Sequence, residues 1–229
     1  LNNGTVRLTL NQSLNRRHYG EVETYSNATR DWELDLRAEV AVLNRNVRIQ
    51  GLASHDTDNS FGDRARFNAG TGDGIGAHAM IMPNAGQITV DSVQFDRMGQ
   101  TGQLGRYPIH WHLAGDRSGD VLRDSSITNS NNRGVTVHGT HNLLIEGVVL
   151  HDVHGHGFFM EDAVETGNRY IANIAFGIHQ VGRTTPTNGR PLSDPDDPFV
   201  VDTHDHVGQN PSRFLSSAAY WVTNPDNTW

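Results

Sequence analysis

Thirteen histidines and no cysteine stand in a chain of 229 residues, and their spacing is uneven. His110 and His112 form a His-X-His pair, His138 follows His112 by 26 residues, and Glu161 follows His138 by 23. Neutral imidazole nitrogen together with one carboxylate suits a borderline divalent metal such as zinc, or iron or manganese. With positions left open for water or a substrate oxygen, such an ion makes water nucleophilic near neutral pH. The competing reading is a row of solvated polar residues on an outer sheet face. Whether the four residues can meet depends on the elements that carry them.

Those elements read as short strands. Val6–Leu10, Ala41–Leu43, Asn46–Ile49, Gln87–Val90, Val93–Phe95, Gly134–Val137 and Leu143–Ile145 are apolar runs bounded by Gly, Asn and Asp, and helical periodicity is hard to find. The run Arg133–Gly139 lines up with His156–Asp162 at an offset of 23, and Tyr107–His112 fits the same slot 26 residues before His138. Gly177-Ile178, following Tyr170, reads as a further unit after a shorter step of 20. A fixed offset of this kind predicts stacked coils, hence an all-β, right-handed parallel β-helix spanning 1–229 as a single domain. Strand alternation then sends Ile109, Trp111, Val135, Val137, Phe158 and Met160 into the core. It places His112, His138 and Glu161 in one outward column, with His110, Thr136 and Phe159 beside it. Adjacent rungs lie roughly 4.8 Å apart, so three of them can converge on one atom.

Around this column several groups are secondary candidates. Glu161, Asp162, Asp152, Asp116, Asp120 and Glu165 lie near the column in sequence; Glu161 is the first choice as acid/base or ligand, whereas Asp162, of opposite parity, is assigned to the turn. Arg106 and Arg133 enter the same face from preceding turns and can pair with a carboxylate on a bound molecule. His151, His154 and His156 cluster in a turn, and His204 and His206 form a second His-X-His beside Asp202 and Asp205. His18, His55, His78, His141 and His179 read as structural. Loops at about 54–76 and 182–199, rich in Gly, Asp and Pro, are long enough to wall a groove. No cap closes the C-terminal strand and turn around Trp221, which reads as a fragment of a longer chain.

Composition narrows the classes. The net charge of -8, from 26 acidic and 18 basic residues, argues against nucleic-acid binding. No apolar run approaches the ~18 residues of a membrane span, and the absence of cysteine excludes disulfides, thiol catalysis and Cys-zinc sites.

The segments Ala38–Val47, Gly76–Met82, Arg97–Gln100, Gly105–His112, Val137–Thr140 and Gly155–Asp162 together resemble the β-helix region of a known family. It comprises the cell-migration-inducing, hyaluronan-binding proteins, transmembrane protein 2 and the fibrocystin-like proteins. The resemblance covers nearly the whole chain and is most specific over 97–112. It implies a right-handed parallel β-helix, an extracellular or cell-surface setting and the handling of hyaluronan or a similar polysaccharide. Endo-hydrolysis and calcium dependence are implied for some members. The lack of cysteine departs from the animal members and points to a bacterial relative.

The expectation is therefore a polysaccharide-active protein. His110, His112, His138 and Glu161 hold a divalent metal, with zinc or another transition metal favoured and calcium a further candidate. Glu161, His138 and Arg133 act in catalysis, and Arg106, Arg133 and Phe159 bind the chain in an outer groove. A uronate lyase is the nearest enzymatic rival. A non-catalytic glycan-binding or adhesion module, or a purely structural segment, is the alternative outside enzymes.

Overall fold

The computed structural model describes residues 9–51, 76–100, 104–179 and 217–229. The chain divides into two compact units, Leu1–Ala41 and Val42–Trp229. In the first, β1 (Val22–Ser26) and β2 (Asp31–Asp35) form an antiparallel hairpin. Asn27 closes its turn by accepting from the backbone of Thr29 and Arg30, the local bonding that favours Asn in turns.

The second unit is built from fourteen strands among the described residues. They are β3 (Val47–Gln50), β4 (Ala79–Ile81), β5 (Thr89–Asp91), β6 (Val93–Asp96), β7 (Ile109–Asp116), β8 (Val121–Arg123) and β9 (Ser126–Ser130). There follow β10 (Val135–His141), β11 (Leu144–Glu146), β12 (Val149–His154), β13 (Phe158–Met160), β14 (Arg169–Ile171), β15 (Ile174–His179) and β16 (Tyr220–Trp221). Every pairing among them is parallel, in three sheets ordered β16-β13-β10-β7-β4, β14-β11-β8-β5 and β15-β12-β9-β6-β3. Three strands per coil, each paired with its equivalent one coil away, make a parallel β-helix. The all-β solenoid expected from the repeat is the architecture that the chain forms.

The offsets hold where the sequence was regular. Val135 pairs with Ile109, 26 residues earlier, and with Phe158, 23 residues later. The fourth unit differs from expectation. Ile178 pairs with Val153 in the β12–β15 sheet, and the slot after Phe158 belongs to Tyr220. Gly177 misled because it repeats a different corner: Arg97, Asn129, Asp152 and Gly177 all adopt positive φ. Ala41–Leu43 forms no strand, and Val6–Leu10 lies mostly outside the described residues.

Burial explains the stacking. The sheets send rows inward, two from the first (Ile109, Val135 and Phe158; Trp111, Val137 and Met160), Leu122, Ile145 and Tyr170 from the second, and Phe95, Ile127 and Leu150 from the third. All are buried. No single coil can enclose these side chains, so each coil is stable only against its neighbours.

Polar side chains lock the coils from outside. Asp96 accepts hydrogen bonds from Asn129 Nδ2 (2.7 Å) and Thr128 Oγ1 (2.9 Å) and pairs with Arg48 and Arg97. Burial alone would raise its pKa, but the Asn129, Arg48 and Thr128 bonds and the nearby Arg97 charge outweigh it, leaving the pKa below 3.8. A depressed carboxylate contributes stability that is present above its unfolded pKa and is lost as pH falls through the folded one. Asp96→Asn is accordingly expected to cost about 1.5–3 kcal/mol at pH 7. It should also flatten the acid limb of a urea-unfolding profile measured across pH 5 to 2. An unchanged limb would assign the acid sensitivity elsewhere.

Candidate metal centre

The first sheet brings the expected column together. His138 sits opposite His112, and Thr136 opposite His110. Phe159 pairs with Thr136, and the Glu161 N–H donates to the Val137 carbonyl (3.0 Å), continuing the pairing one residue beyond β13. One potential ligand atom from each of His110, His112 and His138 lies within 4.8 Å of the other two, a candidate metal site. Glu161 borders it, its Oε2 being 3.5 Å from His138 Nδ1 and 4.0 Å from His110 Nε2.

The column faces away from the core, as alternation requires, yet it is not an open groove. Thr136, Phe159 and Arg133 are fully buried, His110 is 1% exposed and Glu161 is 7% exposed. The covering is a second row supplied by the turns before each strand. The Arg133 guanidinium lies 3.7 Å from the Phe159 ring centroid and 5.1 Å from that of Tyr107, and it donates to Tyr107 Oη (3.0 Å). His156 stacks on Phe159 (5.0 Å) and lies tilted against Trp221 (4.8 Å). Pattern reading assigns a side chain to a face and does not show what folds over that face. Arg133 and Phe159, expected to meet a bound chain, here pack on each other, with Arg133 Nη1 3.6 Å from Glu161 Oε1. Arg106 stays exposed and donates to Gln100 (2.8 Å), apart from the cluster.

The electrostatics suit coordination. Burial, assisted by the neighbouring His112, His138 and Arg133, pushes the His110 pKa down to about 3 against the opposing bond to the Gly105 carbonyl. Burial and His138 likewise lower that of His112, with Asp162 opposing. Neutral imidazole is the form that binds metal. The Gly105 carbonyl can only accept, so His110 Nδ1–H donates to it (2.9 Å) and the lone pair sits on Nε2. Nε2 is buried and has no hydrogen-bond partner among the described residues, an exposed cost unless something occupies the space before it. Three nitrogen donors fit zinc or a similar transition ion; calcium takes six to eight oxygens, and this donor set does not supply them.

Chain direction changes immediately beyond the ligands. Pairing of β7 with β10 shifts register between His138 and Thr140, and Leu113 and Gly139 both have positive φ. A bulge here re-aims the residues before it. Glycine at 139 suits this corner because its φ of 51° is one that L side chains rarely adopt. Access is from this end, where His112 and His138 are half-buried and Asp162 is exposed.

Asp162, a nearby carboxylate expected to serve the turn, lies against the cluster. Parity assigned it to the turn, but β13 ends at Met160, so alternation no longer governs position 162. Its Oδ2 lies 2.6 Å from His138 Nε2. Glu165, another carboxylate near the column in sequence, braces the same corner, its Oε1 accepting from the backbone N–H groups of Gly139 (2.8 Å) and Asp162 (3.2 Å). The turn histidines separate: His156 joins the covering row, while in another sheet the His151 ring lies tilted against Phe176 and His154 stacks on His179. His141 holds the Thr166 N–H (3.1 Å), a structural role. His55, His204 and His206, with most of both long loops, lie outside the described residues.

Known proteins share this chain's features. Human fibrocystin-L is 33% identical over 247 residues, covering 97% of this chain and 5% of the relative. The human protein named cell surface hyaluronidase CEMIP2 is 32% identical over 206 residues, 85% of this chain and 14% of the relative. Communication mutant protein F of Dictyostelium discoideum is 32% identical over 149 residues, 65% and 12% respectively. The chain thus spans only a small part of the length of these relatives. No helix of the described residues is long and apolar enough to cross a membrane. The family model described as CEMIP beta-helix matches residues 74–229, which include all three histidines and Glu161, and the chain belongs to that family.

Proposed function

We propose that this β-helix is an extracellular or cell-surface polysaccharide-cleaving unit, hydrolysing a hyaluronan-like chain internally at a divalent transition-metal site. The observation that carries the reading is the convergence of His110, His112 and His138 on one point, with the His110 lone pair already turned toward it. Relatives named cell surface hyaluronidase, from human and zebrafish, support the substrate class.

The three imidazoles would hold the ion. When bound, it would supply Lewis acidity and a more acidic water. Glu161, beside His138 and His110, would serve as the acid/base, accepting a proton from water and returning one to the leaving sugar oxygen. Arg133 keeps the Glu161 carboxylate oriented, and His112 and His138 form the rim at which a sugar would enter.

The test is elemental analysis of protein purified without a histidine tag, paired with viscometry of hyaluronan before and after chelation. Stoichiometric zinc, iron or manganese with chelator-sensitive loss of viscosity is the expected result. Products absorbing as unsaturated sugars would assign a lyase reaction instead. A metal-free, inactive protein that still binds hyaluronan would assign a binding module.

A further inference from the structure

We infer that Asp162 is a positioning residue: it fixes which nitrogen of His138 carries hydrogen, and so aims the Nδ1 lone pair at the point shared with His110 and His112. The inference deepens the metal reading and rests on it for its functional meaning.

The argument is one of donors and acceptors. An ionised carboxylate only accepts. At 2.6 Å from Asp162 Oδ2, His138 Nε2 must therefore carry the hydrogen that joins them. A neutral imidazole then leaves Nδ1 bare. That nitrogen lies 3.1 Å from His112 Nδ1 and 3.5 Å from Glu161 Oε2. Two ligands on a tetrahedral ion with bonds of about 2.05 Å stand roughly 3.3 Å apart, so both separations match the edges of a coordination shell. His110 is prepared in the same manner but from the opposite nitrogen, because Gly105 takes its Nδ1–H and Nε2 faces inward. Two histidines thus approach one point, each with its outer N–H held by an acceptor that cannot donate. This is the arrangement by which an outer partner fixes ring orientation and raises ligand basicity.

Glu165 keeps the pair in register. One of its oxygens accepts the N–H of Gly139, next to His138, and the N–H of Asp162 itself. Glu165 is fully buried, so the brace is a fixed part of the coil stack, whereas Asp162 sits at the rim with a side chain 37% exposed. Substitution of Asp162 therefore changes the histidine's partner without opening the core.

The inference is tested on metal-free, 15N-labelled protein by long-range proton–nitrogen correlation of the imidazoles, and by competition for cobalt(II) or zinc with a chromophoric chelator. Wild type is expected to show His138 protonated on Nε2 alone. Asp162→Ala should lose that preference and weaken metal binding roughly 10–100-fold, with its thermal transition nearly unchanged. Asp162→Asn, whose amide oxygen still accepts, should recover the tautomer and most of the affinity. A wild-type His138 protonated on Nδ1, or on both nitrogens as an imidazolium between Asp162 and Glu161, overturns the inference. So does an Asp162→Ala protein with unaltered tautomer and affinity. Wild type that shows the Nε2–H form yet takes up neither metal overturns the metal reading while leaving the assignment of the histidine standing.

Discussion

Replacing His138 with alanine is expected to remove bound metal and hyaluronan cleavage together while the coil stack stays folded. His138 occupies the centre of the site, within reach of His112, Glu161 and Asp162 at once. Its loss takes one of three nitrogen donors, so affinity should fall by more than the roughly 10–100-fold that losing an outer partner costs. Lewis-acid assistance contributes several kcal/mol to a transition state, and each 1.36 kcal/mol is a factor of ten in rate. Turnover should therefore drop at least about a thousandfold. Folding is spared because the ring is half-buried and its Asp162 partner is exposed, so no carboxylate is newly stranded there, and Glu161 retains Arg133 nearby. Elemental analysis, viscometry and a thermal melt on the same preparation decide the matter. A His138→Ala protein that keeps its metal, or keeps its rate without it, removes the site from the reaction. His112→Ala should behave alike, since the two rings oppose each other across β7 and β10.

The largest loss of stability is expected from Trp111→Ala. Trp111 is fully buried between the two candidate ligands His110 and His112 in sequence, pointing into the core as they point out. Removing so large a side chain costs about 3–5 kcal/mol, roughly 6–20 °C in melting temperature for a domain of this size. A second contribution is polar. The indole Nε1–H donates to Asp120 Oδ2 (3.0 Å), which also accepts from Arg117 Nε (2.8 Å), while Asp120 Oδ1 takes the Ile88 N–H (2.9 Å). Trp111→Phe retains most of the volume but leaves Asp120 one donor short, and should fall between wild type and the alanine variant. Thermal melts of the three proteins check the order. If phenylalanine matches alanine, the hydrogen bond dominates; if it matches wild type, packing does.

These two substitutions separate the faces of one strand. Trp111 holds the coil that carries His110 and His112, and His138 belongs to the proposed chemistry. A fall in activity with Trp111→Ala alone should therefore track unfolding, and at low temperature the residual folded protein should keep its metal.

The sequence by itself determined the register. Inward residues must repeat at the coil spacing to share one core, and the offsets of 26 and 23 between Ile109, Val135 and Phe158 show this directly. Once that is fixed, strand alternation alone places His110, His112 and His138 on the other face. Regular repetition also explains the failure at Gly177, where a second repeating feature, the positive-φ corner, imitated the first. Only the tertiary structure decided what lies over the outward column. Arg133, Tyr107 and His156 leave their turns to cover it, and turn side chains follow no period that sequence can reveal. Only the fold, too, moved Asp162 and Glu165 into the site, because beyond Met160 the strand ends and direction is set by a bulge and by hydrogen bonds to Gly139. Spacing thus selects the ligands through the pleat of the sheet, while their partners and their enclosure arise from contacts between segments that only folding brings together.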